Sequence, residues 1–200
     1  FPTRRSSDLI EGPLAGGHLG FSKEQLEDIP SLDYDTEIQN IIALKQTYEE
    51  KYQTTIPVFV AGGMFTAKDA AHVMELGADG IQAATRFVAT EECDANDAYK
   101  QAYVNASDED VIIIKSPVGM PGRAIKNAFI ERMLAAPDKI SHCFNCLKAC
   151  NPATAPYCIT QALINAVVGD LDNGLIFCGS RVGEIKKITT VPKLMQELTV

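Results

Sequence analysis

The chain has 200 residues, 46% of them hydrophobic, 7% aromatic and 22% charged, the make-up of an ordinary globular protein with one sizeable core. A net charge of -8 and a pI near 4.9 argue against nucleic acid or an anionic membrane surface as a partner. No apolar run approaches the roughly 18 to 20 residues that cross a bilayer, and no basic-then-apolar leader opens the chain, so the expectation is a cytoplasmic protein that acts on small molecules.

Residues 1–9, "FPTRRSSDL", resemble a sequencing-adapter primer translated by accident and are set aside from fold reasoning. Leu9 and Ile10 then read as the end of a strand whose beginning has been overwritten. The stretch "EGPLAGGHLGF", residues 11–21, follows as a loop with four glycines around His18, and Glu11 reads as a carboxylate that fixes it. Ile38, Ile41, Ile42, Tyr48 and Tyr52 recur near helical spacing and predict an amphipathic helix over 37–52.

"IPVFVAGG", residues 56–63, is a β-branched run ending in glycines, as expected of a parallel strand buried on both faces. Thr66 with Asp69 forms a capping-box start, and Ala70, Ala71, Val73, Met74 and Leu76 supply a buried stripe before Gly77 stops the helix. His72 inside that helix reads as a solvent-edge or core histidine. "DGIQAATRF", residues 79–87, is a third short strand running into a turn, with a helix from about 94 to 104. Strand, loop and helix thus recur three times, the pattern of the α/β class.

After Asp110, "VIIIKSPVGMPGR" predicts a strand and a Pro/Gly-rich loop, then a helix over 124–134 with Ile125, Ala128, Phe129 and Met133 inward. A helix over 161–168, a turn at "GDLDNG", a short apolar "LIFCG" and a helix after Pro192 close the chain. Cys143, Cys146 and Cys150 are spaced C-x2-C-x3-C, with Cys158 further on. These four could ligate zinc or an iron–sulfur cluster. Their spacing fits neither a zinc ribbon nor a ferredoxin run, and buried structural thiols are the alternative.

The chemistry is expected where parallel strands end, because loop amides and helix N-termini point to that side. "AGG" occurs twice there, at 15–17 and 61–63, and lets the backbone approach a flat phosphorylated cofactor with no Cβ in the way.

In order, "EGPLAGGHLG", "IPVFVAGGM", "LGADGIQAATRFVATEEC" and "GMPGRAIKN" resemble the FMN-dependent nitronate monooxygenases, formerly 2-nitropropane dioxygenases, and the related flavin-dependent enoyl-ACP reductases. The resemblance implies a (β/α)8 TIM barrel. Residues 10–135 would be its C-terminal portion, with about strands six to eight, and 136–200 a cysteine-containing helical extension packing on it. Such a fragment is expected not to fold alone as a monomer, since the fold needs about 250 residues.

The resemblance also implies FMN, with Gly62 and Gly63 at the phosphate and Ala84 with Thr85 matching a Gly-Thr pair. Gln82 and Gly17 would complete the cofactor set. His18 matches the active-site histidine, suited to take a proton from a nitroalkane or orient a nitronate. Arg123 and Asn127 match a pattern read as docking the closing helix, and the cysteine-bearing tail resembles clostridial-type members. The implied reaction is oxidation of alkyl nitronates with O2. The alternatives are an enoyl-ACP reductase using NAD(P)H, and a non-catalytic, metal-binding cysteine-rich module.

Overall fold

Two three-stranded sheets organise the computed structural model, which describes residues 7–137, 139–146, 148 and 150–199. The strands are β1 (Asp8–Glu11), β2 (Gly17–His18), β3 (Val58–Ala61), β4 (Gly80–Gln82), β5 (Val111–Lys115) and β6 (Pro121–Ile125). The helices are α1 (Lys23–Glu27), α2 (Tyr34–Tyr52), α3 (Ala67–Glu75), α4 (Thr85–Val88), α5 (Asp97–Asn105), α6 (Ala128–Ala135), α7 (Ile159–Val167) and α8 (Val191–Leu198).

The first sheet is parallel, in the order β1-β3-β4. α2 and α3 return the chain between its strands, as the β-α-β pattern in the sequence requires. Alternation sets its faces: Ile10, Val58 and Val60 pack with Ile38 and Ile42 of α2 and Val73 of α3 in one buried cluster. Each such side chain contributes about 1.5–3 kcal/mol by leaving water. Asp79 ties the layers together, accepting the Val58 N–H at 2.8 Å and Lys45 of α2 at 2.9 Å.

β1 contains the expected Leu9 and Ile10 and extends by one residue on either side, to Asp8 and Glu11. Asp8 N–H donates to the Pro57 carbonyl at 2.9 Å and Leu9 lies opposite Phe59, so residues 8 and 9 belong to the sheet. Residues 1–6 of the adapter-like segment lie outside the described residues.

The second sheet corrects the reading of residues 121–134. Pro121–Ile125 forms a strand, antiparallel to both β5 and β2, where a loop and a helix start were expected. Ile125 is buried on that strand, and α6 starts only at Ala128, with the Asn127 side chain accepting the Ile130 N–H at 3.1 Å. Pro121, Gly122, Arg123 and Ala124 of β6 are weak strand formers. Ladder bonds from partners on both sides decide the outcome, and a local pattern does not report them. "LIFCG" runs beside the same strand: Ile125 N–H donates to Ile176 and Cys178 N–H to Arg123, at 2.9 and 3.1 Å.

The predicted α3 start is observed in full, with the Thr66 hydroxyl accepting the Asp69 N–H and Asp69 accepting the Thr66 N–H. His72 is at the solvent edge and pairs with Asp35 at 2.9 Å. Among the described residues, no helix is long and apolar enough to cross a membrane.

Candidate functional site

A cavity of about 340 Å³ opens where β1, β3 and β4 end. Gly17, Gly62, Gly63, Gln82, Ala84 and Thr85, the six residues expected around a cofactor, all line it. Gly62 and Gly63 have φ of +90° and +83°, a region L side chains rarely adopt. A Cβ on Gly62 would lie 2.8 Å from the Gly12 carbonyl oxygen, so glycine here lets two loops touch.

Part of the remaining wall comes from Phe177–Arg181, which the sequence reading did not assign to the site. Gly179 N–H donates to the Thr85 hydroxyl at 2.9 Å, and Ser180 N–H to the Leu14 carbonyl at 3.2 Å. Gly16 packs so closely on Cys178 that a Cβ would lie 2.5 Å from its carbonyl carbon. The signal for this wall was the "GSR" that follows a short apolar run, a strand-to-loop signature like those of the first two loops. Ser180 Oγ is buried in the wall with no hydrogen-bond partner among the described residues, an atom that a bound ligand would satisfy.

Arg181 supplies no free positive charge. Its Nη1 donates to Asp69 at 2.7 Å and to the Gly63 carbonyl at 3.3 Å, while Nε and Nη2 engage Glu184. Burial alone would raise the Asp69 pKa, but hydrogen bonds from Thr66, Arg181 and the Phe65 amide hold it below the usual carboxylate range. A depressed folded pKa stabilises above the unfolded value of about 3.9, and that contribution disappears as pH falls through the lower folded value. Asp69→Asn is expected to cost about 1–2 kcal/mol at neutral pH. Urea unfolding should show the difference from the parent narrowing as pH is lowered from about 5 to about 2.

His18 stands at the edge of this cavity without forming its wall. Its ring meets Phe177 edge-on at 5.0 Å, and its Nε2 shares a 2.7 Å hydrogen bond with the buried Ser116 Oγ, a partner 98 positions away that sequence spacing does not reveal. Ser116 Oγ also accepts the Val118 N–H at 3.4 Å. Partial burial lowers the His18 pKa from its usual 6.5. Glu11 lines the cavity too, and burial raises its pKa.

Arg123 and Asn127 divide the role assigned to them. Asn127 caps α6 and donates to the Leu171 and Gly174 carbonyls, both at 2.8 Å, which docks the helix. Arg123, buried on β6, instead donates to the Ala15 carbonyl and holds the glycine loop that carries His18.

The four candidate metal ligands take different partners. Cys143 contacts Asn145, Cys146 accepts from the Thr160 hydroxyl at 3.0 Å, Cys150 lines a separate cavity and Cys158 precedes α7. Among the described residues, no group of three or more His, Cys, Asp or Glu side chains is placed to hold a metal. Buried structural thiols do not describe them either, since Cys143 and Cys146 are exposed and Cys150 and Cys158 half-buried.

The nitronate monooxygenase family model matches residues 7–200. This chain belongs to the nitronate monooxygenase family. A probable nitronate monooxygenase of Staphylococcus saprophyticus is 31% identical over 132 residues, covering 66% of this chain and 35% of the relative. One from Staphylococcus aureus is 28% identical over 125 residues, 62% of this chain and 33% of the relative. These alignments span about a third of the relatives' length.

Among solved structures, FabK from Thermotoga maritima superposes with a TM-score of 0.68 at 26% identity, over 96% of this chain and 53% of FabK. A nitroalkane oxidase from Streptomyces ansochromogenes gives 0.64 at 22% identity, over 96% and 50%, a likeness of fold. The mixed α/β architecture therefore matches about half of each of these two solved chains, and the glycine cavity and His18 lie inside the region matched by the family model.

Proposed function

We propose that this chain is the C-terminal portion of an FMN-dependent oxidoreductase of the nitronate monooxygenase type, which oxidises alkyl nitronates with O2. In this reading β1, β3 and β4 are the sixth, seventh and eighth strands of a (β/α)8 barrel, residues 10–135 complete it, and 136–200 pack on it. The exposed apolar face of α2, with Ile41, Leu44, Tyr48 and Tyr52, and the 47% exposed Leu9 support the half-barrel assignment. Expressed alone, the 200-residue chain is expected to self-associate; a sharp, cooperative monomer melt would count against it.

The observation that carries the reading is the strand-end cavity, with three left-handed glycines, an orphaned Ser180 hydroxyl and His18 at its edge. These residues fit a phosphate-ended planar group. Its volume lies in the small-ligand range of roughly 300–1,000 Å³. Arg181 is already matched by Asp69 and Glu184, so the donors left for a phosphate are neutral, from the backbone at Gly62, Gly63, Ala84 and Thr85 together with Ser180. When bound, FMN supplies the electron-accepting chemistry that the side chains lack.

His18 supplies the acid–base function. Partial burial lowers its pKa and so favours the neutral imidazole, the form that accepts the proton on the carbon beside a nitro group. Once protonated, it holds the anionic nitronate oxygen. Ser116 fixes the ring from one side and Phe177 from the other. The acidic limb of kcat/KM for a nitroalkane against pH is expected below about 6.5, and a limb above pH 7 would contradict a neutral base.

A second reading, an enoyl-ACP reductase using NAD(P)H, draws on the likeness to FabK. Anaerobic addition of an alkyl nitronate to the purified full gene product separates the two. Bleaching of a yellow chromophore is the expected result. NADH consumption that depends on a crotonyl thioester, with no bleaching by nitronate, would reverse the assignment.

A further inference from the structure

A second cavity, of about 530 Å³, borders the His18–Ser116 pair. His18 stands between the two cavities: its ring packs on Phe177 of the first wall, and its Nε2 bonds to Ser116 of the second. Ile114, Phe129, Ile130, Met133, Pro156 and Tyr157 make the second wall mainly apolar. It is larger than the first, and nothing in the proposed flavin binding uses it.

Lys115, Ser116, Asn151, Thr154 and Tyr157 are its polar members, and Tyr157 is a buried one. Only 6% of it is exposed and its ring meets Phe129 edge-on at 5.1 Å, yet its buried hydroxyl has no hydrogen-bond partner among the described residues. Such an orphan costs about 1–3 kcal/mol, which an acceptor brought by a ligand would recover. Burial pushes the phenol up to about 12, so it stays protonated and able to donate. Lys115 is exposed and also lines the cavity, where it suits an anionic end group.

We propose that this cavity binds the unbranched alkyl or acyl tail of the substrate, with a ligand oxygen accepting from Tyr157 and the reactive carbon presented at His18. The substrate class is then long-chain compounds in preference to small nitroalkanes. The link to His18 rests on the proposed function; binding of the chain itself does not.

The test uses the full gene product and cis-parinaric acid, a fluorescent straight-chain fatty acid. Saturable binding to the parent is expected. Met133→Trp, which fills the cavity, should weaken it at least about tenfold, and Tyr157→Phe about three- to tenfold. Because the hydroxyl is unpaired without ligand, Tyr157→Phe should not lower the unfolding midpoint. Both variants should keep the parent's flavin content. The ratio of kcat/KM for octyl over ethyl nitronate should also fall about tenfold or more in Met133→Trp. Absence of parinarate binding, or binding unchanged in both variants, overturns the proposal. Parinarate binding without flavin in the parent would overturn the proposed function and leave this cavity's assignment standing.

Discussion

Substitution of His18 by alanine is expected to lower kcat/KM for an alkyl nitroalkane by about 100- to 10,000-fold, the usual contribution of a positioned acid or base. Flavin content should stay at the parent level, because His18 borders the cavity without lining it. Folding should persist as well: the imidazole is half-buried and is held by a hydrogen bond to Ser116 and an edge contact with Phe177. Steady-state kinetics across a pH series gives the check. The acidic limb should vanish with the side chain, and activity within fivefold of the parent would remove His18 from the reaction.

Gly62→Ala is expected to abolish retention of the flavin. The residue sits at φ +90°, and the new Cβ would lie 2.8 Å from the Gly12 carbonyl oxygen and 3.0 Å from the Ala15 nitrogen. Both contacts are backbone, so neither can swing aside as a flexible side chain would. The left-handed strain costs about 1–3 kcal/mol, and forced overpacking adds about 1–3 kcal/mol. The loop that carries His18 must move away, taking the Ala15 carbonyl from Arg123. Dialysis followed by a visible spectrum measures the loss. Gly20→Ala is the matched control, since a Cβ there meets nothing within 4 Å and its φ is unstrained. Equal flavin content in both variants would show that loop closure at Gly62 does not build the site.

The parallel sheet and its helices were legible because their signals are local. The β-branched run at 56–61, the Thr66–Asp69 cap and the stop at Gly77 each act within a few residues, and all three agree on one answer. The glycines of the two "AGG" loops were legible for a related reason, since residues that end neighbouring parallel strands share one side, whereas Gln82, Ala84 and Thr85 were legible through the family resemblance.

What stayed hidden depends on partners distant in sequence. β6 exists because β2 and β5 flank it, and its own Gly122, Arg123 and Ala124 favour no strand. Gly179 meets Thr85 across 94 positions, and Arg181 meets Asp69 across 112. The cysteine spacing was suggestive on paper, yet the backbone around Asn145, which has φ +52°, carries the neighbouring thiols to separate partners.

The most direct measurement is the position of FMN in a crystal structure of the full gene product. The phosphate should lie within hydrogen-bonding distance of backbone amides at Gly63 and Thr85, and of Ser180 Oγ, with the His18 imidazole beside the flavin ring. A phosphate bound away from these strand ends, or an imidazole on the far side of Phe177 from the ring, would contradict the assignment of this site.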